Sequence, residues 1–235
     1  MSRFSVAEAL RFGWNTTRVR WGYFMGLSAV FILASVIFTP FQAFFSDMPV
    51  AAMVVAILSV AITLIVDLGF MKITLKTCDG EPTDFRDLFR YYDLSPRYFL
   101  GTVLYTLLIL LSLIPGIVVL SLLAGNTGVE GIGIIKGVLV AILLSVPSAF
   151  LSIKFYFFGY FIVDQDAGAI EAFRLSARLT RGATWQILLL FVVAFAIILA
   201  GILALLVGLL IAYPIAKLTT AYAYRKLLET QIDNV

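Results

Sequence analysis

The stretch 182–216 reads GATWQILLLFVVAFAIILAGILALLVGLLIAYPIA and contains no charged side chain. A single membrane-spanning helix takes about 20 mostly apolar residues, and this run is longer. Continued to Tyr224, it accommodates two helices, 185–205 and 208–224, with a tight turn over 206–208. One long bent helix is the other way to read it. Working toward the N-terminus, four more apolar runs of spanning length lie at 21–45, 50–71, 98–123 and 134–163. The expected fold is therefore all-α, an integral membrane bundle of six helices in one transmembrane domain over 1–235.

Composition leads the same way. Hydrophobic residues make up 62% of the chain and charged residues 13%. Soluble domains hold roughly 45–50% apolar and about 25% charged residues, so this chain has too few charges to cover a water-facing surface. The formal charge of +3 does not suggest nucleic acid, because the basic residues flank the apolar runs. The chain has one cysteine, Cys78, and no histidine. An internal disulfide is excluded, and the commonest general base and metal ligand is missing. No cluster has metal-ligand spacing, no cofactor motif is present, and no nucleophile–base pair can be assembled without histidine, short of unusual lysine or carboxylate chemistry. The chain reads as a non-enzyme.

The charges separate by side. Arg3, Arg11, Arg18 and Arg20 precede the first run. Lys72, Lys76, Arg86, Arg90 and Arg97 lie between the second and third, and Arg174, Arg178 and Arg181 between the fourth and fifth. Arg225 and Lys226 follow the last. The other connections hold Asp47, then Glu130 beside Lys136, then nothing. The positive-inside rule makes the charged side cytoplasmic and, with an even number of spans, puts both termini there. Trp14, Trp21 and Trp185 fall at that face, as an interfacial belt requires. The first run has no small-residue cleavage site behind it and is expected to be retained. Asn15-Thr16-Thr17 fits a glycosylation sequon on the wrong side, and the glycine-rich outer stretch 125–133 reads as a flexible connection.

The chain repeats a pattern. Ala7-Glu8-Ala9-Leu10-Arg11-Phe12, Arg86-Asp87-Leu88-Phe89-Arg90-Tyr91 and Ile170-Glu171-Ala172-Phe173-Arg174-Leu175 each place an acid, an apolar residue and an arginine at the same spacing. Each precedes an apolar hairpin, and the copies start about 80 residues apart. Three units of amphipathic helix plus hairpin account for the chain. In the middle copy Phe85, Leu88, Phe89 and Tyr92 recur at helical spacing, with Asp84, Asp87, Arg90 and Asp93 opposite. This predicts an interfacial amphipathic helix, apolar face down.

Ionisable residues inside a membrane span are the places to look for function. Asp67, Lys154 and Lys217 qualify, each in the cytoplasmic half of an even-numbered helix. Aligning Asp79 with Asp166 superposes Asp67 on Lys154, and aligning Tyr160 with Tyr224 brings Lys217 within one place of Lys154. One reading is a structural ion pair with snorkelling lysines. The other is a polar site in which Asp67 pairs with one lysine and the second attracts an anion. Pro40, Pro115, Pro147 and Pro214 interrupt the runs and read as structural.

The stretches Tyr160-Phe161-Ile162-Val163-Asp164, Ala169-Ile170-Glu171-Ala172-Phe173-Arg174-Leu175-Ser176 and Thr180-Arg181-Gly182 lead to Trp185, Pro214 and Ala223-Tyr224-Arg225. Together they resemble the membrane domain found ahead of the catalytic domain in some glycerophosphodiester phosphodiesterases, and YciC-like inner-membrane proteins. The resemblance implies a multi-pass protein of the bacterial cytoplasmic membrane, without the phosphodiesterase activity. The expected role is a scaffold, assembly factor or envelope-homeostasis component acting through the lipid bilayer, a membrane-protein partner or a homo-oligomer. A small-solute or lipid transporter or channel is the second expectation, and a membrane-embedded lipid enzyme the third.

Overall fold

The computed structural model describes residues 5–126, 146–204 and 207–232. Among the described residues the chain is all-helical, with no strand. In order, α1 is Val6–Val19, α2 Trp21–Val36, α3 Thr39–Phe44, α4 Pro49–Cys78 and α5 Asp87–Arg90. A short 3-10 turn, Tyr92–Leu94, leads into α6, Ser95–Asn126. Residues 146–154 are helical and form α7. Then come α8 Phe158–Gln165, α9 Ala169–Leu179, α10 Thr184–Leu203 and α11 Val207–Ile232.

Among the described residues five stretches are long and apolar enough to cross a membrane: Trp21–Phe44, Pro49–Cys78, Asp87–Val118, Val146–Gln165 and Thr184–Leu203. The sixth expected span, α11, is not among them. Lys217, Thr219, Thr220 and three tyrosines dilute its apolar content. The last run does form two separate helices, α10 and α11.

Several boundaries differ from the sequence reading. The first span is broken near Phe38, and Pro40 sits in the first turn of α3, where its missing N–H is not needed. The helix expected to end at Met71 runs on to Cys78. The helix expected over 134–163 breaks at 155–157, while its stretch 134–145 lies outside the described residues. So do most of the glycine-rich segment 125–133 and the turn residues 205–206.

The break at 155–157 has identifiable support. The Ser176 hydroxyl of α9 donates to the Lys154 carbonyl at 3.1 Å and accepts from the Phe157 N–H at 3.2 Å. Thr180 donates to the same carbonyl at 3.3 Å. These bonds replace backbone pairing that the interrupted helix gives up. Past α8, Asp166 takes the left-handed conformation (φ 54°) that ends the helix. Arg97 fixes it by donating to both its carbonyl and its carboxylate.

The amphipathic elements α1 and α9 bury one face each. On α1 that face is Ala9, Gly13 and Thr17. On α9 it is Ala169, Ala172, Phe173, Ser176 and Leu179. Gly13 lets α1 lie against α11, because a Cβ there would stand 2.8 Å from the Ile215 carbonyl oxygen.

The middle copy departs from its expected form. Only Asp87–Arg90 is α-helical, followed by the 3-10 turn Tyr92–Leu94, so the continuous helix is not formed. Leu88 is buried, but Phe85, Phe89 and Tyr92 are exposed and Asp87 is buried. The cause is an ion pair: Asp87 accepts from Lys76 at 3.1 Å and from the Asp84 N–H at 3.3 Å. The segment is thereby drawn onto α4, where a Cβ on Gly69 would collide with the backbone of Leu88.

Two apolar cores result. Leu68, Tyr98, Phe157, Ile162, Leu179 and Tyr224 belong to one. Phe24, Leu27, Phe70, Ile73, Leu88 and Leu218 belong to the other. Away from these cores, large apolar side chains stay uncovered, among them Val50, Met53 and Ile57 on α4 and Leu189, Val192 and Phe195 on α10. α11 is the hub, touching α1, α2, α4, α9 and α10.

Candidate functional site: a carboxylate held by one lysine and two tyrosines

Tyr213 and Lys217 stand one turn apart on α11 and so share a face. That face meets Asp67 of α4. The Lys217 ammonium donates to Asp67 Oδ1 at 2.6 Å, and the Tyr213 hydroxyl donates to the same oxygen at 2.9 Å. Tyr98 of α6 donates to Asp67 Oδ2 at 2.7 Å. The side chains of Lys217 and Asp67 are only 20% and 15% exposed, so the pair is largely withdrawn from solvent. Both carboxylate oxygens are taken, and three helices are tied at one point.

The tyrosines are held by packing. Tyr213 stacks on Phe31 of α2 at 4.4 Å between ring centroids and meets Phe70 edge-on at 5.1 Å. Tyr98 lies nearly parallel to Phe158, at 6.1 Å. Fixed donors of this kind stabilise a carboxylate without having to reorganise. A cleft of about 160 Å³ runs alongside, lined in part by Tyr156, Tyr160, Tyr213, Lys217 and Thr220.

Of the three ionisable residues singled out from sequence, Asp67 and Lys217 are brought together and Lys154 is not. Lys154 lies in a separate cleft of about 150 Å³, with Arg181 and Thr184. Among the described residues no carboxylate pairs with its ammonium. Its nearest aromatic neighbour is the Phe155 ring, 5.9 Å away.

Sequence reasoning missed a second junction. Arg225 was read only as an orienting charge, yet it grips Asp164 of α8 through two bonds of 2.8 Å and reaches Asp79, the C-cap of α4, at 2.6 Å. Tyr224 adds a bond to Asp164 at 3.1 Å. Tyr98 and Tyr213 were missed too. The available signal was Tyr213 lying one turn before Lys217.

Among the described residues no group of His, Cys, Asp and Glu is placed to hold a metal. The geometry defines an all-helical protein with long apolar helices and polar junctions between them. It belongs to the family described as a domain of unknown function, DUF7847, whose model matches residues 5–230. No curated protein and no solved structure matches the chain.

Proposed function

We propose that this is a six-span protein of the bacterial cytoplasmic membrane, with α11 as the sixth span and three interfacial-helix-plus-hairpin units. In this reading both termini are cytoplasmic. It works without catalysis, as a scaffold, assembly or envelope-homeostasis component that engages lipid or protein partners. The uncovered Val, Leu, Ile and Phe side chains along α4 and α10 support the membrane placement. Orientation is tested with Cys78, because labelling of this thiol by an impermeant reagent in intact cells would invert the topology.

The observation that carries the non-catalytic reading is that both oxygens of Asp67 are engaged by side chains of the fold. Its oxygens accept from Lys217, Tyr213 and Tyr98. A carboxylate so occupied joins helices and has little capacity left for a reacting group. The experiment is mass spectrometry of the full chain extracted in native lipid discs. A protein partner at fixed ratio supports the proposal. A stoichiometric water-soluble metabolite that Asp67→Asn releases would refute it.

A transporter or channel is the second reading, favoured by the cleft beside Lys217. Here Thr220→Cys, made in a Cys78→Ala background, should react with a small polar thiol reagent. A dry, unreactive position excludes a water-filled path along this cleft.

A further inference from the structure

The three units of the chain share one packing rule. The first unit is α1 to α4, the second α5 to α8 and the third α9 to α11. Each begins with its interfacial element, which seats on the last helix of the unit before it. The α5 segment seats on α4, and α9 seats on α8 and the end of α7. No unit precedes the first, yet α1 seats on α11, the last helix of the third. The long first helices follow suit. α6 lies against α4 as well as its own α8, and α2 against α11 as well as its own α4. α10 lies against its own α11 and sets Phe191 on Tyr156, at the break after α7, with 6.0 Å between ring centroids. The last helices meet in the middle. α4 touches both α8 and α11, and Tyr160 of α8 stacks on Tyr224 of α11 at 5.4 Å.

The register agrees as well. The offset that carries Asp67 to Lys217 carries Gly69 to Thr219, and the one that carries Asp67 to Lys154 carries Gly69 to Tyr156. The three seats fall at these positions. Leu88 lies on Gly69, and Gly13 lies on Thr219 and the Ile215 carbonyl. Ser176 bonds the Lys154 carbonyl and the Phe157 N–H, on either side of Tyr156. The offset from Glu8 to Glu171 also carries Gly13 to Ser176. A short connection joins α4 to α5 and α8 to α9, so chain continuity brings those seats together. α1 and α11 are separated by most of the chain, and surface fit alone makes the third seat like the other two.

Like units packed head to tail close into a ring when the rotation allows it and otherwise leave an open row. We infer that this chain is a closed ring of three equivalent units around α4, α8 and α11, and that α1 is its clasp, holding the first unit to the last. The inference rests on the three-unit reading above. In the ring each seat is filled from within the chain, which leaves none for the interfacial helix of a second copy.

Hydrogen exchange on the full chain in native lipid discs separates a clasp from a terminal helix resting on the surface. Gly13→Ala puts a Cβ 2.6 Å from the Thr219 hydroxyl oxygen and 2.8 Å from the Ile215 carbonyl oxygen, which overpacks the closing seat. Amides of α2 and of 215–224 should then lose protection about tenfold or more, together with those of α1. Loss confined to α1 overturns the closure alone. Unchanged protection in Gly13→Ala, while Gly69→Ala loosens α4 and α5, overturns the equivalence of the units as well. A circular permutant leaves every seat intact. It begins at Glu81, ends at Gly80, both exposed, and joins the present ends through roughly eight glycine and serine residues. It should fold and keep native protection at Thr219. A permutant that stays unfolded, or that loses this protection, overturns the proposal.

Discussion

Lys217 and Lys154 look interchangeable along the sequence and stand in opposite circumstances in the fold. Lys217 is held 2.6 Å from a buried carboxylate by a helix that touches five others. Lys154 contributes its backbone carbonyl to the junction with α9, and its ammonium lies in a cleft with another cation. The first lysine joins elements of the bundle, whereas the second lines a cleft and takes part in none of the ion pairs among the described residues. A charge within an apolar run is thus not one kind of evidence. Its meaning depends on whether a counter-charge and fixed hydrogen-bond donors converge on it.

The comparison breaks hardest at Asp67. Replacing it with leucine leaves the Lys217 ammonium and two tyrosine hydroxyls without their acceptor. Removing one partner of a buried pair costs about 3–5 kcal/mol. We expect Asp67→Leu to destabilise by that order in denaturant unfolding of the purified protein. The double variant Asp67→Leu/Lys217→Met should recover most of the loss, since an apolar pair of similar volume leaves no stranded charge. A double variant as unstable as the single one would show that the tyrosine bonds, and not the ion pair, hold the junction.

The next largest effect separates the backbone of Lys154 from its side chain. Ser176→Ala removes the acceptor of the Phe157 N–H and leaves the Lys154 carbonyl with Thr180 as its remaining hydroxyl donor. The orphaned N–H costs about 1–3 kcal/mol. Ser176→Ala should therefore destabilise more than any change to the Lys154 side chain. Hydrogen exchange at Phe157 checks it, because its amide should lose protection. Unchanged protection would mean the break at 155–157 is held by other contacts.

Much of the helical architecture was legible because a long apolar helix is read locally, as an unbroken apolar run. All five long apolar helices overlap apolar runs visible in the sequence. Asp67 and Lys217 could be found because charges are conspicuous in such runs. Their tyrosine partners could not. Tyr98 is 31 positions from Asp67 and Tyr213 is 146 positions away, and tyrosine is common in this chain. The depth alignment that paired the two lysines assumed a continuous helix from Lys154 to Tyr160, but the turn at 155–157 breaks that register. In the middle amphipathic segment one residue departs from its expected place for another reason. Helical spacing put Asp87 on a polar face, but an ion pair with Lys76 outweighed the pattern and buried it. Arg225 was counted as one more positive charge because nothing local marks its reach to Asp79 and Asp164.

The smallest expected effect is the most discriminating. Lys154→Met should change unfolding stability by less than about 0.5 kcal/mol, as surface substitutions away from caps and buried networks do. The reason is that the bonds Lys154 makes at the α9 junction come from its carbonyl, which methionine retains. Lys217→Met should behave oppositely, because it strips a cation from a carboxylate that is largely withdrawn from solvent. Unfolding of both variants under identical lipid conditions checks the contrast. If Lys154→Met proved as damaging as Lys217→Met, its ammonium would have to be satisfied by a carboxylate outside the described residues. Lys154 would then be a second structural pair, and the contrast between the two lysines would disappear.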